Sequence, residues 1–343
     1  MPATALALAG APPTPVRKRA ARLRSRATRA VAALLVSAAV ATAGASAYDA
    51  AASAAALSAY PPPGAFATLA SGQRMHYVCA GAGDEGEPAL VLVAGFGGDV
   101  LDWAPVMPAL ARSHRVCAFD RLGQGWSDGA TAPGRTFGSL ADELHEAVRA
   151  AGIRRPVVVG HSLGGALAQV YAAEHDVAGL VLVDGLTSGV ADAVLARLGT
   201  YQSLAPLGQV GLLRPIAGMM VDPAYAPGLR EQMLALRARS AALGAVAGEG
   251  AVAAASAGRE LRAAEDALGS GRVPVLAIGA GATDVPQLPA GAFAAAQRAF
   301  AARTPGAEFA LVPDARHYVM AEQPEEVARL IQTWSTARVR RAA

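Results

Sequence analysis

The sequence predicts an α/β protein built on a mostly parallel sheet with helices on both faces. Three observations predict it. Short apolar runs alternate with longer helical patterns, the order expected of βαβ units. The runs are continuous Val/Leu stretches rather than alternating ones, as strands covered on both faces require. The 343 residues include one 89-residue interval, 184–272, with no convincing strand but several Ala/Leu/Arg-rich helical patterns. That interval is too long for a crossover and predicts an inserted helical cap.

Taken in order, the chain begins with a basic leader. Seven bases lie between Arg17 and Arg29, the first acid is Asp49, and from Tyr48 onward 23 bases face 27 acids. The pI near 9.1 therefore belongs to the leader, and the rest is mildly acidic. A nucleic-acid binder needs a basic face on its folded part, and none is present. The uncharged run Ala30–Ala47 follows, with the small-x-small triplet Ala45-Ser46-Ala47 at its end. Such a run reads as a cleaved signal peptide or as an uncleaved anchor, since its 18 residues just suffice to cross a bilayer. Either way the arginines stay cytoplasmic and the remainder is exported. The mean hydropathy of +0.31 reflects alanine and this one segment, not several spans. Tyr60-Pro-Pro-Pro-Gly64 is a stiff break, so residues 1–60 form leader and linker and residues 61–343 the folded domain.

Within that domain strands are expected at Arg74–Ala80, Ala89–Ala94, Arg115–Phe119, Pro156–Val159, Gly179–Val183, Val273–Ile278 and Glu308–Val312. Helices are expected at Gly138–Ala151, Leu163–Glu174, Ala290–Arg303 and Pro324–Arg338, with Gly228–Leu243 and Arg259–Leu268 in the cap. Two cysteines, Cys79 and Cys117, are too few for a disulfide scaffold, and their spacing suits no metal.

The chemistry concentrates at Gly160-His161-Ser162-Leu163-Gly164-Gly165, between a strand-like run and a helix. A G-x-S-x-G turn there exposes a serine hydroxyl and aims the next amide and the helix N-terminus at a developing oxyanion. Ser162 is thus the candidate nucleophile, and His161 packs beside it. Of the six histidines, His317 lies just past the last strand, at the same sheet edge as Ser162, and is the candidate base. The acid is expected to be Asp284, in the loop after Val273–Ile278. Its rival is Asp184, at the end of Gly179–Val183, with Asp314 or no acid as remaining options. The glycine-rich loop Gly95-Phe96-Gly97-Gly98 lets backbone amides approach a ligand, so Phe96 N–H and Leu163 N–H are the candidate oxyanion donors. The cap offers no polar constellation to interpret, although Gly211–Met220 suggests a moderately hydrophobic pocket. No spacing suits a metal site, and no motif calls for a cofactor.

With these motifs in hand, residues Pro61 to Trp334 resemble the α/β-hydrolase superfamily. Phe119-Asp120-Arg121-Leu122-Gly123-Gln124-Gly125-Trp126-Ser127-Asp128 is similar to that family's turn after its fourth strand, with an architectural role. Glu322-Gln323-Pro324-Glu325-Glu326-Val327 is similar to the start of its last helix. The hydrophobic N-terminal segment, the Tyr-Pro-Pro-Pro-Gly break and the pair Asp102-Trp103 resemble exported or membrane-anchored bacterial members. Two departures matter: Ala94-Gly95 stands where the family often has His-Gly, and serine at the elbow argues against haloalkane dehalogenases. The resemblance implies neighbouring strands for Cys79 and Cys117, hence a disulfide if the domain is exported. It also implies an acyl-enzyme serine hydrolase, with small or medium carboxylic esters as the expected substrates. A proline-iminopeptidase-like peptidase, a cofactor-free perhydrolase and a catalytically silent exported binding protein are the alternatives on the same fold.

Overall fold

In the computed structural model, which describes residues 15–83, 87–130, 134–286 and 288–339, eight strands form one sheet. They are β1 (Ala65–Thr68), β2 (Arg74–Ala80), β3 (Leu90–Val93), β4 (Val116–Phe119), β5 (Val157–His161), β6 (Gly179–Val183), β7 (Val275–Ala280) and β8 (Glu308–Val312). Their order across the sheet is β1-β2-β4-β3-β5-β6-β7-β8. β2 is antiparallel to both β1 and β4, and every other pairing is parallel.

The continuous apolar strands are buried on both faces, with successive residues feeding opposite layers. Val91, Val93, Val158, Leu180 and Leu182 pack with α3 (Phe137–Ala150), α4 (Leu163–Glu174), α9 (Gly258–Leu268) and α10 (Ala292–Arg303). Leu90, Leu92, Val157, Val159, Val181 and Val183 pack with α2 (Met107–Leu110), α11 (Val319–Glu322) and α12 (Pro324–Arg338). This period-2 division is what a strand in the middle layer of a three-layer fold must have.

Every expected strand is present within one or two residues. β1 was not expected: it is a four-residue edge strand whose sequence Ala-Phe-Ala-Thr carries no pattern long enough to read. The 184–272 interval contains only helices: α5 (Ser188–Gly199), α6 (Ala205–Gln209), α7 (Pro227–Arg237), α8 (Ser240–Val252) and α9, with 3-10 turns between them. The single helix expected at Gly228–Leu243 is two, broken after Arg237, and α8 runs on through a π-helical turn, Ala253–Ala257. The interval does not all stand apart from the sheet. Leu261, Ala264 and Leu268 of α9 share the core beneath α4.

Residues 15–59 form one long helix, α1 (Pro15–Ala59). Its apolar stretch is exposed, with Val31, Leu34, Leu35, Val36 and Val40 all facing outward. Arg26–Ala59 is long and apolar enough to cross a membrane. The C-terminal part of α1 is docked. Asp49 is buried and pairs with Arg214 of the β6–β7 segment at 3.0 Å, and Ala56 is buried as well. The stretch Ser240–Leu268 also has the length and hydropathy of a span, but more than half of it is buried in the fold.

Cys79 and Cys117 sit directly opposite each other on β2 and β4 and are joined in a disulfide.

Candidate active site

β5 runs into α4 through Ser162, which adopts φ 53°, ψ −123°. A non-glycine residue rarely takes positive φ, so this strand-to-helix turn is strained and is held by its surroundings. Two glycines allow it. A side chain at Gly160 would come within 2.3 Å of the Gly164 carbonyl oxygen, and one at Gly164 within 2.3 Å of the Ala94 carbonyl oxygen. α4 can therefore start hard against the end of β3. Ser162 remains partly exposed, while its neighbours on both sides are buried.

His317 reaches Ser162 from the loop after β8. Its Nε2 lies 2.9 Å from Ser162 Oγ, and its Nδ1 lies 2.7 Å from Asp184 Oδ2. The expectation that Asp284 orients this imidazole is corrected by that contact. Asp184 directly follows β6 at positive φ, 41°, and is fully buried, whereas Asp284 is exposed. The physical reason lies in the loop after β7, where Thr283, not Asp284, turns inward and donates its hydroxyl to Asp184 at 2.6 Å. Gln297 Nε2 and the Ala280 N–H donate to the other Asp184 oxygen at 2.8 and 3.1 Å. Burial alone would raise the Asp184 pKa, but the hydrogen bond and charge of His317, with those other donors, outweigh it and hold it below the usual carboxylate range.

The loop after β3 lies beside the serine. A side chain at Gly95 would stand 3.1 Å from Ser162 Cβ and 3.0 Å from His161 Nδ1. The two candidate donor amides, Phe96 and Leu163, follow directly after Gly95 and Ser162 in the chain. Among the described residues neither N–H is taken by another backbone or side-chain acceptor. The Phe96 ring meets Tyr201, and Phe293 stands edge-on to His317, giving the site aromatic surroundings.

Two charged groups hold this loop, and both were missed as site residues from sequence. Arg121, in the turn after β4, donates to the carbonyls of Ala94 and Gly95 at 2.6 and 2.7 Å. Glu249, on α8, accepts from Arg121 Nε at 2.7 Å and from the Gly97 N–H at 2.8 Å. Beyond the loop, Arg237 of α7 bridges Asp99 and Asp102 at 2.9 and 2.8 Å. Asp120 accepts from the N–H groups of Val100 and Trp126, consistent with an architectural turn. For Glu249 a signal existed: it is the one charge between Arg239 and Arg259.

His161 is packed beside the site, as expected, but it also holds His317. Its Nε2 is 2.9 Å from the His317 carbonyl oxygen, so this nitrogen carries the proton and donates. Burial, aided by the neighbouring His317, lowers its pKa to about 3 and keeps it neutral. The hydrophobic pocket expected from Gly211–Met220 falls partly on Ile216, Met219 and Met220, whose side chains lie outside the described residues. Away from the site, Asp142, Glu174 and His175 bring ligand-type atoms within 4.8 Å of one another at the surface.

Comparison with known proteins agrees with this arrangement at the level of fold. Residues 88–206 match the family model described as "alpha/beta hydrolase fold", and the sheet order and elbow extend the likeness to the rest of the domain. The chain has the α/β-hydrolase fold. Among curated relatives of this α/β-hydrolase, one from Stutzerimonas stutzeri named "Putative carbamate hydrolase RutD" is 41% identical over 91 residues, 26% of this chain and 34% of that one. Relatives of the same name from Escherichia coli are 35% identical over 96 residues, 28% of this chain and 36% of the relative. The match thus spans about a third of the length of these relatives. Among solved structures, the enol-lactonase from Burkholderia xenovorans LB400 superposes with a TM-score of 0.63 at 21% identity, over 79% of this chain and all of that one. A thermophilic esterase from Thermogutta terrifontis gives 0.60 at 22% identity, over 80% and 98%. A bacterial membrane phospholipase A gives 0.59 at 21% identity, over 93% of this chain and 100% of that one. At these identities the likeness is one of fold.

Proposed function

We propose that this protein is a serine hydrolase that cleaves carboxylic esters of small to medium, moderately hydrophobic substrates through an acyl-enzyme. The observation that carries the reading is the unbroken relay Ser162 Oγ–His317 Nε2–His317 Nδ1–Asp184, at 2.9 and 2.7 Å. Asp184 accepts the Nδ1–H and so leaves Nε2 free to take a proton. Ser162 Oγ attacks the ester carbonyl carbon while His317 takes the hydroxyl proton. The carbonyl oxygen becomes an oxyanion, stabilised by the N–H groups of Phe96 and Leu163. The carbon–oxygen bond to the alcohol then breaks, and His317 hands its proton to the leaving alkoxide. Water, deprotonated by His317, releases the acid by the same steps in reverse order. The helical segment between β6 and β7 serves as the cap over this site. Aromatic rings of Phe96, Tyr201 and Phe293 favour an apolar acyl or alcohol group. The exposed apolar stretch of α1 supports an exported domain, anchored by that helix or released after cleavage near Ala47.

A fluorophosphonate probe is expected to label the wild-type protein and not Ser162→Ala. An ester panel of varied acyl length, with a carbamate ester and an aminoacyl-anilide beside it, assigns the acyl class. A folded wild-type protein that takes no label would refute the enzyme reading. Turnover of anilides alone would refute the ester assignment.

A further inference from the structure

We propose that Glu249 is a positioning residue for the oxyanion loop, reaching down from the cap so that seating of the cap and the aim of the Phe96 N–H are set together. The inference rests on the serine-hydrolase reading above and extends it to the cap. A trans peptide group is planar, so its carbonyl and its N–H point in opposite directions and fixing one aims the other. The N–H of Phe96 shares its peptide plane with the carbonyl of Gly95. Arg121 donates to that carbonyl at 2.7 Å and to the preceding one, of Ala94, at 2.6 Å. The next plane, between Phe96 and Gly97, is held through the Gly97 N–H by Glu249 Oε2 at 2.8 Å. Both planes flanking the Phe96 Cα are therefore pinned. The two anchors are also joined to each other, because Glu249 Oε1 accepts from Arg121 Nε at 2.7 Å.

The anchors come from different parts of the chain. Arg121 belongs to the turn after β4, which is fixed to the sheet, whereas Glu249 belongs to α8 of the cap. Both side chains are nearly inaccessible, at 5% exposure each, so water does not replace either partner. Gly244 and Gly248 of α8 border an open groove of about 610 Å³, and the π-helical turn Ala253–Ala257 follows the helix directly. Any shift of α8 away from the sheet opens the Gly97 contact and leaves the Arg121 fork without its counter-charge. The arrangement also accounts for a loop that begins Ala94-Gly95 without a side chain of its own to support it. Support arrives from Arg121 and Glu249 instead.

The test uses the full chain and the variants Glu249→Gln, Glu249→Ala and the double variant Arg121→Met/Glu249→Leu. The double variant removes both buried charges together and keeps the core apolar, so it supplies a folded protein even where the single variants, which leave Arg121 without its counter-charge, are too destabilised to measure. Thermal denaturation identifies the folded proteins, and kcat and KM are then measured on p-nitrophenyl butyrate. A loss of about 10–100-fold in kcat is expected, with KM within about threefold of wild type, because an oxyanion donor acts on the transition state. The pH midpoint of kcat/KM stays in place, since His317 and Asp184 are untouched. Glu249→Gln, which keeps an oxygen for the Gly97 N–H, is expected to lose less than Glu249→Ala. Folded variants with wild-type kcat, or with a loss confined to KM, would overturn the proposal. An active wild type beside active variants refutes this inference alone. A wild type that neither hydrolyses esters nor takes the fluorophosphonate refutes the underlying reading and this inference with it.

Discussion

Replacing Asp184 by asparagine keeps the size of the side chain and removes its charge, and the contacts around it determine the outcome. The carboxylate is fully buried and accepts four hydrogen bonds, from His317 Nδ1, Thr283, Gln297 and the Ala280 N–H. An asparagine has only one oxygen to offer them. With its oxygen toward Gln297 and Ala280, its amide group faces His317 and donates, so Nδ1 must give up its proton. The imidazole then carries its hydrogen on Nε2, 2.9 Å from Ser162 Oγ, and can no longer accept the serine proton. Loss of the correct tautomer in a Ser–His–Asp relay costs about 10⁴-fold in kcat, or about 5 kcal/mol of transition-state stabilisation. Asp284→Asn, at an exposed position, is expected to stay within about twofold of wild type, as surface changes do. The assay is kcat/KM on p-nitrophenyl butyrate, normalised to fluorophosphonate-titrated sites and accompanied by thermal denaturation of each variant. If folded Asp184→Asn kept more than a tenth of wild-type activity while Asp284→Asn lost most of it, the assignment of the acid and the tautomer argument would both be wrong. Stability gives an independent readout. Because the folded pKa of Asp184 lies below its unfolded value of 3.8, its contribution is present above that pH and is lost as pH falls through the lower folded value.

His161 should impose a second acid sensitivity at higher pH. Its pKa is about 3 in the folded protein against 6.5 in the unfolded chain, so the unfolded state binds the extra proton between those values. Stability therefore falls as pH drops from about 6.5 toward 3, by on the order of 5 kcal/mol in total. His161→Gln retains a donor for the His317 carbonyl and is expected to flatten that slope in urea melts taken across the range; an unchanged slope would refute it. The Cys79–Cys117 bridge closes a 38-residue separation, which in the chain-entropy model stabilises by about 4 kcal/mol. Protein from an oxidising compartment should gain alkylation mass at both cysteines only after reduction, and its melting temperature should fall on reduction. Equal masses with and without reduction would show two free thiols.

The strands were legible because buried parallel strands need continuous apolar residues, and Leu90–Val93 or Val157–Val159 can hardly be anything else. Ser162 and His317 were legible because both follow strands at one edge of the sheet, the serine marked by glycines whose close approach to backbone oxygens admits no side chain. The choice between Asp184 and Asp284 was not. Each is the first acid after a strand, and what separates them is which residue of the β7 loop turns inward, decided by the fit of Thr283 against Asp184. The docking of α1 was hidden for a similar reason, since Asp49 finds Arg214 only when the β6–β7 segment is folded. The helical segment between β6 and β7 is the instructive case. Read as composition, 240–258 is an alanine- and glycine-rich stretch with nothing to interpret, yet a single acid in such a run is itself a constraint. If the helix is buried, the charge must meet a buried cation or hydrogen-bond donors, because leaving it unpaired costs several kcal/mol. Glu249 meets both, Arg121 and the Gly97 N–H. The need for a partner is therefore written in the sequence, while the partner's identity depends on where the turn after β4 carries its arginine. That is why the residue linking α8 to the turn after β4 becomes visible only when the two segments, 128 residues apart, are seen together.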